Sequence, residues 1–201
     1  MAKVLLLFAH PAFERSRIHA ALLKAAAGLP DVTLHDLYEV YPDFDVVPGI
    51  EQKLLTEHDI IIFQHPFYWY SGPALLKQWV DLVLQHGWAY GHEGVALKGK
   101  YLMNVISAGG KEQSYSPEGH HGYPLKQFML PYEQTATLCN MQYLPPFVVH
   151  DSNNLTAQQL STYAAAYVEL LKGLQSGKID LPQAQQQYYI NALVGAPDHS
   201  S

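Results

Sequence analysis

The sequence predicts an α/β fold in which a doubly wound sheet of five parallel strands carries helices on both faces. Short apolar runs alternate along the chain with longer segments whose apolar residues recur at helical spacing. This alternation implies strands joined by helical crossovers. The runs are continuously apolar, which is typical of parallel strands covered on both sides. At 201 residues the chain is too short for an eight-stranded barrel, which needs about 250.

Five segments are predicted to form strands. The first, KVLLLFA, and the third, DIIIFQ, are almost wholly apolar and indicate buried positions in the sheet. The fifth is interrupted by Pro145 and Pro146, which cannot donate to a strand ladder. The predicted strands are residues 3–9, 32–37, 59–64, 100–107 and 143–150.

Five helices are predicted, and several carry recognisable end signals. Ser16 is a plausible N-cap of the first, and Pro73 suits the first position of the third. Pro131 is expected to kink or break the fourth. Thr156 and Gln159 have the spacing of a capping box at the start of the fifth. The predicted helices are residues 17–28, 50–57, 73–85, 124–139 and 156–174.

The composition changes near the C-terminus, where QAQQQ is followed by GAPDHSS. We therefore expect one domain over residues 1–177 and a C-terminal extension over residues 178–201 that is partly helical or disordered.

Composition and charge exclude several classes of function. The chain has 12 Lys and Arg against 18 Asp and Glu, a formal net charge of −6, and we expect no nucleic-acid partner. The single cysteine, Cys139, cannot form an internal disulfide or an all-cysteine metal site, and indicates a cytoplasmic location. The histidines show no His-Glu-x-x-His spacing, so we expect no metal site. The longest apolar run, residues 4–9, is far below the roughly 20 residues of a membrane helix.

In a doubly wound sheet the ligand lies beyond the carboxyl ends of the strands, and three unusual loops follow the first, third and fourth predicted strands. The first loop has neither a dinucleotide nor a P-loop glycine motif. His10, Arg15 and Ser16, with the first amides of the following helix, suit a phosphate. The alternative is that Ser16 only caps the helix.

The second loop stiffens at Pro66 and then places four aromatic residues in a row, which suit a flat conjugated ring. The alternative is a hydrophobic plug over the sheet end or a dimer surface. The third loop has two glycines, which let a ligand approach the backbone, although an ordinary turn also explains them. The aromatic residues are Phe67, Tyr68, Trp69 and Tyr70; the third loop is Ser107, Ala108, Gly109 and Gly110.

Motifs in and around these loops are similar to those of a known family. The chain resembles the flavodoxin-like NAD(P)H:quinone oxidoreductases and, more narrowly, the ancillary flavoproteins of glutathione-regulated potassium-efflux systems, over residues 1 to about 175. The motifs are AHP at 9–11, LYxxYPDF at 37–44, QHPxxWYSxPxLLKxWxDxV at 64–83, HGWAYG at 86–91, ALxGK at 96–100 and LPPF at 144–147.

The resemblance implies a bound flavin, FMN in the narrower group, with FAD as the alternative. By position in the sequence, the residues that would contact the flavin phosphate are His10, Ser16, Arg17, Ile18 and His19. The ancillary proteins tend to have Asn at the position of His19. Residues 66–70 and 107–110 would line the isoalloxazine ring of the flavin.

The segment from Tyr115 to His121 resembles a segment of the quinone reductases in which the Tyr and His assist hydride transfer. The resemblance therefore implies Tyr115 and His121 as catalytic residues. It also implies a ping-pong reaction in which NAD(P)H gives a hydride to the flavin and a quinone then takes it. The electron acceptor and the choice between NADH and NADPH stay open.

The resemblance further implies a homodimer, with residues 86–91 as a contact between the two chains; the alternative is that these residues form a long loop over the sheet edge. The alternative function is regulatory: a subunit that acts by binding a potassium-efflux membrane protein, at the inner face of the cell membrane. An electron-transfer flavodoxin is disfavoured because its Ser/Thr-rich phosphate loop is missing, and a plain ligand-binding domain stays open.

Overall fold

A computed structural model describes residues 1–197 and confirms the parallel, doubly wound sheet. The strands lie in the order β2-β1-β3-β4-β5, and β6 also pairs with β4. All of these pairs are parallel. The strands are β1 (Val4–Phe8), β2 (Val32–Asp36), β3 (Ile60–Pro66), β4 (Tyr101–Ser107), β5 (Gln142–Tyr143) and β6 (Phe147–Val149).

The last strand is broken, as the sequence predicted. Both β5 and β6 pair with β4, so together they form one interrupted edge of the sheet. The Leu144 amide still donates to the Leu102 carbonyl at 2.8 Å. Pro145 and Pro146 follow it and have no N–H to continue the ladder.

Eight α-helices connect and cover the strands in the described residues. The predicted helix over 124–139 is in fact two helices that meet at Met129, because Pro131 has no amide to donate to the preceding turn. The predicted second strand was one residue too long: Asp36 caps a short helix by accepting from the Tyr38 amide. The helices are α1 (Arg17–Ala26), α2 (Leu37–Val40), α3 (Pro48–Thr56), α4 (Ala74–Val83), α5 (Leu125–Phe128), α6 (Leu130–Leu138), α7 (Ala157–Ser176) and α8 (Leu181–Gln185).

The core lies on both faces of the sheet because alternate strand residues point to opposite sides. Leu6 and Ile62 pack with α1 and α7, whereas Leu5, Leu7 and Phe63 pack with α3 and α4. All of these strand side chains are buried. Both faces therefore contribute apolar burial, and the helices are held against the sheet on each side.

Helix α7 has the capping box that the sequence predicted. The Thr156 side chain accepts from the Gln159 amide, and the Gln159 side chain accepts from the Thr156 amide. Gly177 ends the helix in the left-handed region at φ 67°. Beyond it, α8 and a short 3-10 turn at Ile190–Leu193 pack on the core between the sheet, α1 and α7, with Ala184 and Ile190 fully buried. Residues 198–201 of the C-terminal extension lie outside the described residues.

None of the helices within residues 1–197 combines the length and the apolar character that crossing a bilayer requires.

A buried carboxylate ties α3 to its neighbours. Glu51 is fully buried and accepts from the Tyr41 hydroxyl at 2.6 Å, the Trp79 indole at 2.7 Å and the His35 ring at 2.9 Å. Burial alone raises the pKa of a carboxyl, but hydrogen bonds from these three side chains outweigh it, so the pKa of Glu51 is lowered.

We predict that Glu51→Gln lowers the free energy of unfolding at neutral pH by about 1–3 kcal/mol, because its amide places a donor against one of three buried donors. Since the pKa of Glu51 is lower in the folded chain, this stabilisation is present above about pH 4.3 and is lost as the pH falls through the folded value. Urea unfolding as a function of pH measures both effects. Glu57→Gln, at the half-exposed end of the same helix, is the matched control. An unchanged unfolding midpoint for Glu51→Gln at neutral pH would contradict the prediction.

Candidate functional site

The three loops singled out in the sequence meet at the carboxyl edge of the sheet, around a cleft of about 660 Å³. Its size lies within the usual range for small-molecule sites. Nine of the proposed cofactor-binding residues line it: His10, Ser16, Arg17, Ile18, Pro66, Phe67, Tyr68, Ser107 and Gly109.

One end of the cleft is positive. Arg15 and Arg17 both line it, and the N-terminus of α1 opens onto it. The Arg17 guanidinium donates to the Leu155 carbonyl at 2.5 Å, which holds it against the segment before α7. The Ser16 side chain accepts from the His19 amide at 3.2 Å, so it is the N-cap that the alternative interpretation expected. Two guanidinium groups and a helix N-terminus together suit an anion.

His10 lies beside this end and presents a neutral ring. Its Nδ1 accepts from the Ala12 amide at 3.1 Å, which leaves the proton on Nε2. Burial lowers the pKa of His10, and the Glu14 carboxylate opposes this shift only in part.

His19 does not line the cleft, which corrects its placement at the phosphate end. Its side chain is fully buried, with Nδ1 3.3 Å from the Gln64 amide nitrogen and Nε2 3.0 Å from the Ser107 hydroxyl. The turn of α1 carries residue 19 inward toward the sheet, so the ring lies behind Ser107. Burial, with the nearby rings of His10 and His65, holds the pKa of His19 well below its ordinary value.

The aromatic loop divides between the cleft and the surface. Phe67 and Tyr68 line the cleft, but Trp69 is 93 % exposed and turns away from it. Tyr70 instead stacks on Phe128, with ring centroids 5.2 Å apart. Trp69 and Tyr70 both have positive φ, at 49° and 62°, which is uncommon for bulky residues and marks a strained turn.

The glycine loop also divides. Gly109 lines the cleft, whereas Ala108 is buried and its amide continues the sheet by donating to the Val149 carbonyl. Gly110 lies beside the cleft, against two rings. A Cβ there would be 3.1 Å from the Tyr115 ring and 3.2 Å from His121 Nε2. A side chain at this position would therefore displace those rings.

Tyr115 and His121 stack on each other, with ring centroids 4.3 Å apart and planes at 16°. Phe67 of the cleft wall packs against Tyr115, and the Tyr70 hydroxyl is 3.5 Å from His121 Nδ1. The pair thus adjoins the cleft without lining it. Burial raises the pKa of Tyr115; burial, and then His120, lower the pKa of His121, so both rings are neutral near pH 7.

The loop after β6 supplies cleft residues that sequence reasoning missed. Ser152 and Asn153 line the cleft, held there because the Ser152 amide donates to the Ala108 carbonyl at 3.1 Å. A signal for them existed: the polar run DSNN follows the last strand, at the same sheet edge as the other three loops. Ala12 was also missed.

His65, at the end of β3, is buried on the opposite face from His19. Its Nδ1 donates to the Pro66 carbonyl at 2.9 Å, and its Nε2 accepts from the Asn104 amide at 2.9 Å. The Tyr143 hydroxyl donates to the other atom of that amide at 2.7 Å. Burial lowers the pKa of His65 to about 4.

The described residues offer little competition for this cleft as a ligand site. A second cavity of about 330 Å³ lies between β6 and the C-terminal segment, and its lining includes Tyr188 and Tyr189 but no arginine or lysine. Within residues 1–197, no three His, Cys, Asp or Glu side chains are grouped so as to hold a metal ion.

Comparisons with known proteins agree with the fold. A family model described as a flavodoxin-like fold matches residues 2–171. The ancillary protein KefG of the glutathione-regulated potassium-efflux system of Pectobacterium carotovorum is 47 % identical over 169 residues, which is 84 % of this chain and 92 % of that protein.

Two solved structures are similar over most of the chain. General stress protein 14 of Treponema denticola, in complex with FMN, is 38 % identical with a TM-score of 0.82, over 86 % of this chain and 99 % of that one. An NADPH-quinone reductase from P. pentosaceus is 34 % identical with a TM-score of 0.77, over 84 % of this chain and 96 % of that one.

We predict that the protein loses stability as the pH falls from about 6.5 toward 4, because the unfolded chain then protonates its histidines while buried His65 stays neutral. In that window His65 contributes up to about 1.4 kcal/mol per pH unit. His65→Asn should flatten the pH dependence of urea unfolding, whatever its effect at neutral pH. The exposed His92→Asn serves as the control and should leave the slope unchanged. A slope that His65→Asn does not alter would count against this account.

Proposed function

This chain belongs to the family of proteins with the flavodoxin-like fold, and from that premise we propose that it is an FMN-dependent NAD(P)H:quinone oxidoreductase. The observation that carries the proposal is the composition of the cleft at the carboxyl edge of the sheet. One end presents Arg15, Arg17 and the N-terminus of α1, and the wall beyond them is built from Phe67, Tyr68 and the Gly109 backbone.

These residues fit FMN. The arginines and helix amides suit its phosphate, and the apolar wall with a bare glycine suits a flat ring. The FMN complex of the Treponema denticola protein supports the choice of FMN over FAD. Bound here, the flavin would supply reversible two-electron chemistry between NAD(P)H and a quinone, and the use of one cleft by both in turn is the basis for proposing ping-pong kinetics.

The side chains beside the cleft are arranged to manage a proton. The Tyr70 hydroxyl is 3.5 Å from His121 Nδ1, and Nε2 is the ring atom turned toward Gly110. When the hydroxyl donates to Nδ1, the ring proton lies on Nε2. A neutral imidazole with a proton at that atom can donate to an oxygen that gains negative charge, and then recover the proton from solvent. The stacked Tyr115 ring holds His121 in this orientation and adds a second O–H donor. We therefore propose Tyr115 and His121 as the catalytic pair.

The purified protein, loaded with FMN, tests the proposed activity directly. We expect a two-band visible flavin spectrum that bleaches when NADPH is added under argon and returns when a quinone such as menadione follows. Chromatography of the released flavin then separates FMN from FAD. A protein that binds no flavin, or whose bound flavin does not bleach with NADPH or NADH, would contradict the proposed reaction.

We predict that His121→Ala lowers the turnover number for quinone reduction by about a hundredfold, the usual contribution of a positioned acid or base. The bound flavin content should be unchanged, because His121 does not line the cleft. The exposed His92→Ala is the control and should keep full activity. Loss of flavin from the His121→Ala protein would show that the assigned role is wrong.

A second candidate function is regulatory, and the 47 % identity to KefG favours it. In that case the chain acts as an ancillary subunit that binds a potassium-efflux membrane protein from the cytoplasmic side. The two functions separate in a Tyr115→Phe, His121→Ala double variant. If the double variant loses quinone reduction but still supports potassium efflux, regulation depends on binding alone. If efflux is lost together with quinone reduction, regulation depends on catalysis.

We further propose that the chain is a homodimer. Trp69 is almost fully exposed on the strained turn that follows Tyr68 of the cleft wall, and a second chain is the simplest cover for so large an apolar ring. Residues 86–91 remain a proposed contact.

A further inference from the structure

We propose that His19, Gln64 and Tyr167 form a buried positioning chain that commits the Ser107 hydroxyl to donate its hydrogen bond into the cleft. The four side chains belong to α1, β3, α7 and β4, and the hydrogen bonds between them lead along one face of the sheet to the cleft. The consequence for the ligand rests on the proposed function; the consequence for the ligand-free protein does not.

The chain is continuous at hydrogen-bond distances. The Tyr167 hydroxyl donates to Gln64 Oε1 at 2.7 Å, the Gln64 amide nitrogen is 3.3 Å from His19 Nδ1, and His19 Nε2 is 3.0 Å from Ser107 Oγ. Tyr167, Gln64 and His19 are all fully buried, so solvent does not compete for these bonds.

The direction of the chain is set at its buried end. The Tyr167 hydroxyl lies in an apolar cluster that includes Phe147 and Leu170, where its hydrogen needs an acceptor. Gln64 Oε1 is that acceptor. If the Gln64 amide were flipped, its N–H would face the Tyr167 oxygen, and the tyrosine hydrogen would have no acceptor. An unpaired hydroxyl hydrogen in an apolar core is unfavourable. The amide nitrogen of Gln64 therefore faces His19.

The His19 imidazole continues the same donor-to-acceptor order of hydrogen bonds. Because His19 Nδ1 faces a donor, it must accept, and a ring that is buried and neutral carries its one proton on Nε2. That proton is donated to Ser107 Oγ.

The Ser107 hydrogen is thereby directed elsewhere. Among residues 1–197 the Ser107 hydroxyl has no second side-chain or backbone partner, and Ser107 lines the cleft. A ligand atom that meets this fixed donor must be a hydrogen-bond acceptor, such as a carbonyl oxygen or an unprotonated ring nitrogen. His19, Gln64 and Tyr167 touch no ligand and act as positioning residues.

The ligand-free protein tests the direction of the chain. Long-range proton–nitrogen NMR of the histidine rings should show His19 protonated at Nε2 and unprotonated at Nδ1. Tyr167→Phe removes the anchor and should shift His19 toward a mixture of tautomers. Tyr163→Phe is the matched control: it lies one turn earlier on α7, is equally buried, and its hydroxyl donates to the Pro197 carbonyl at 3.4 Å. It should leave the His19 tautomer unchanged. A wild-type His19 protonated at Nδ1 overturns the proposal.

Binding of FMN tests the consequence for the ligand. Ser107→Ala should weaken the dissociation constant, measured by flavin fluorescence quenching, by about fivefold, the size of one net hydrogen bond. Tyr167→Phe should also weaken binding, although it does not touch the cleft, and should add nothing in the Ser107→Ala background. Effects of the two substitutions that add independently would overturn the coupling. If no variant and no wild-type protein binds FMN, the proposed function fails, and the His19 tautomer still decides the positioning chain.

Discussion

The structure depends on the burial of β1 on both faces between two parallel neighbours. Val4–Phe8 pairs with β2 on one side and β3 on the other, and every side chain in it is buried. Because the pairing is parallel, the strands β1, β3 and β4 all end at the same edge. Each crossover must also lay a helix on one face or the other. The cleft, its helix N-terminus and its loops all follow from this single arrangement.

The same arrangement places polar side chains where the strands leave the core. Gln64 and His65 are consecutive residues at the end of β3, and they point to opposite faces. Gln64 is satisfied by side chains on α1 and α7, whereas His65 is satisfied by Asn104 and its own chain at Pro66. Buried polar groups left unpaired would be costly, so these bonds fix the strand ends that carry the loops. The loops themselves are then free to hold unusual conformations, such as the positive φ angles at Trp69 and Tyr70.

Much of this organisation could be predicted from the sequence, because the strands are continuously apolar and the helices carry end signals. The break at Pro145 and Pro146 and the capping box at Thr156 follow from backbone chemistry that any neighbour must respect. The split at Met129 is only partly predictable, because Pro131 indicates an interruption of the helix but not whether the helix bends or ends there.

The inner details of the site could not be predicted in the same way. The sequence places His19 on α1. Whether its side chain contacts a ligand or the sheet depends on how α1 packs on β3 and β4, and the sequence pattern carries no information on that packing. Trp69 turns outward for the same kind of reason: its direction is set by a strained turn rather than by its residue type. The polar run at residues 151–154 follows the last strand, but the backbone bonds from Asp151 and Ser152 to the glycine loop, which hold Ser152 and Asn153 at the cleft, cannot be read from the sequence.

The proposed function depends on the binding of FMN in the cleft at the carboxyl edge of the sheet. The most direct measurement is a titration of the isotope-labelled protein with FMN, followed through the backbone amide resonances. We expect saturation at one FMN per chain, with the largest shifts in residues 10–18, 66–68, 107–110 and 152–153. Absence of saturable binding, or shifts centred on the second cavity beside Tyr188 and Tyr189, would contradict it.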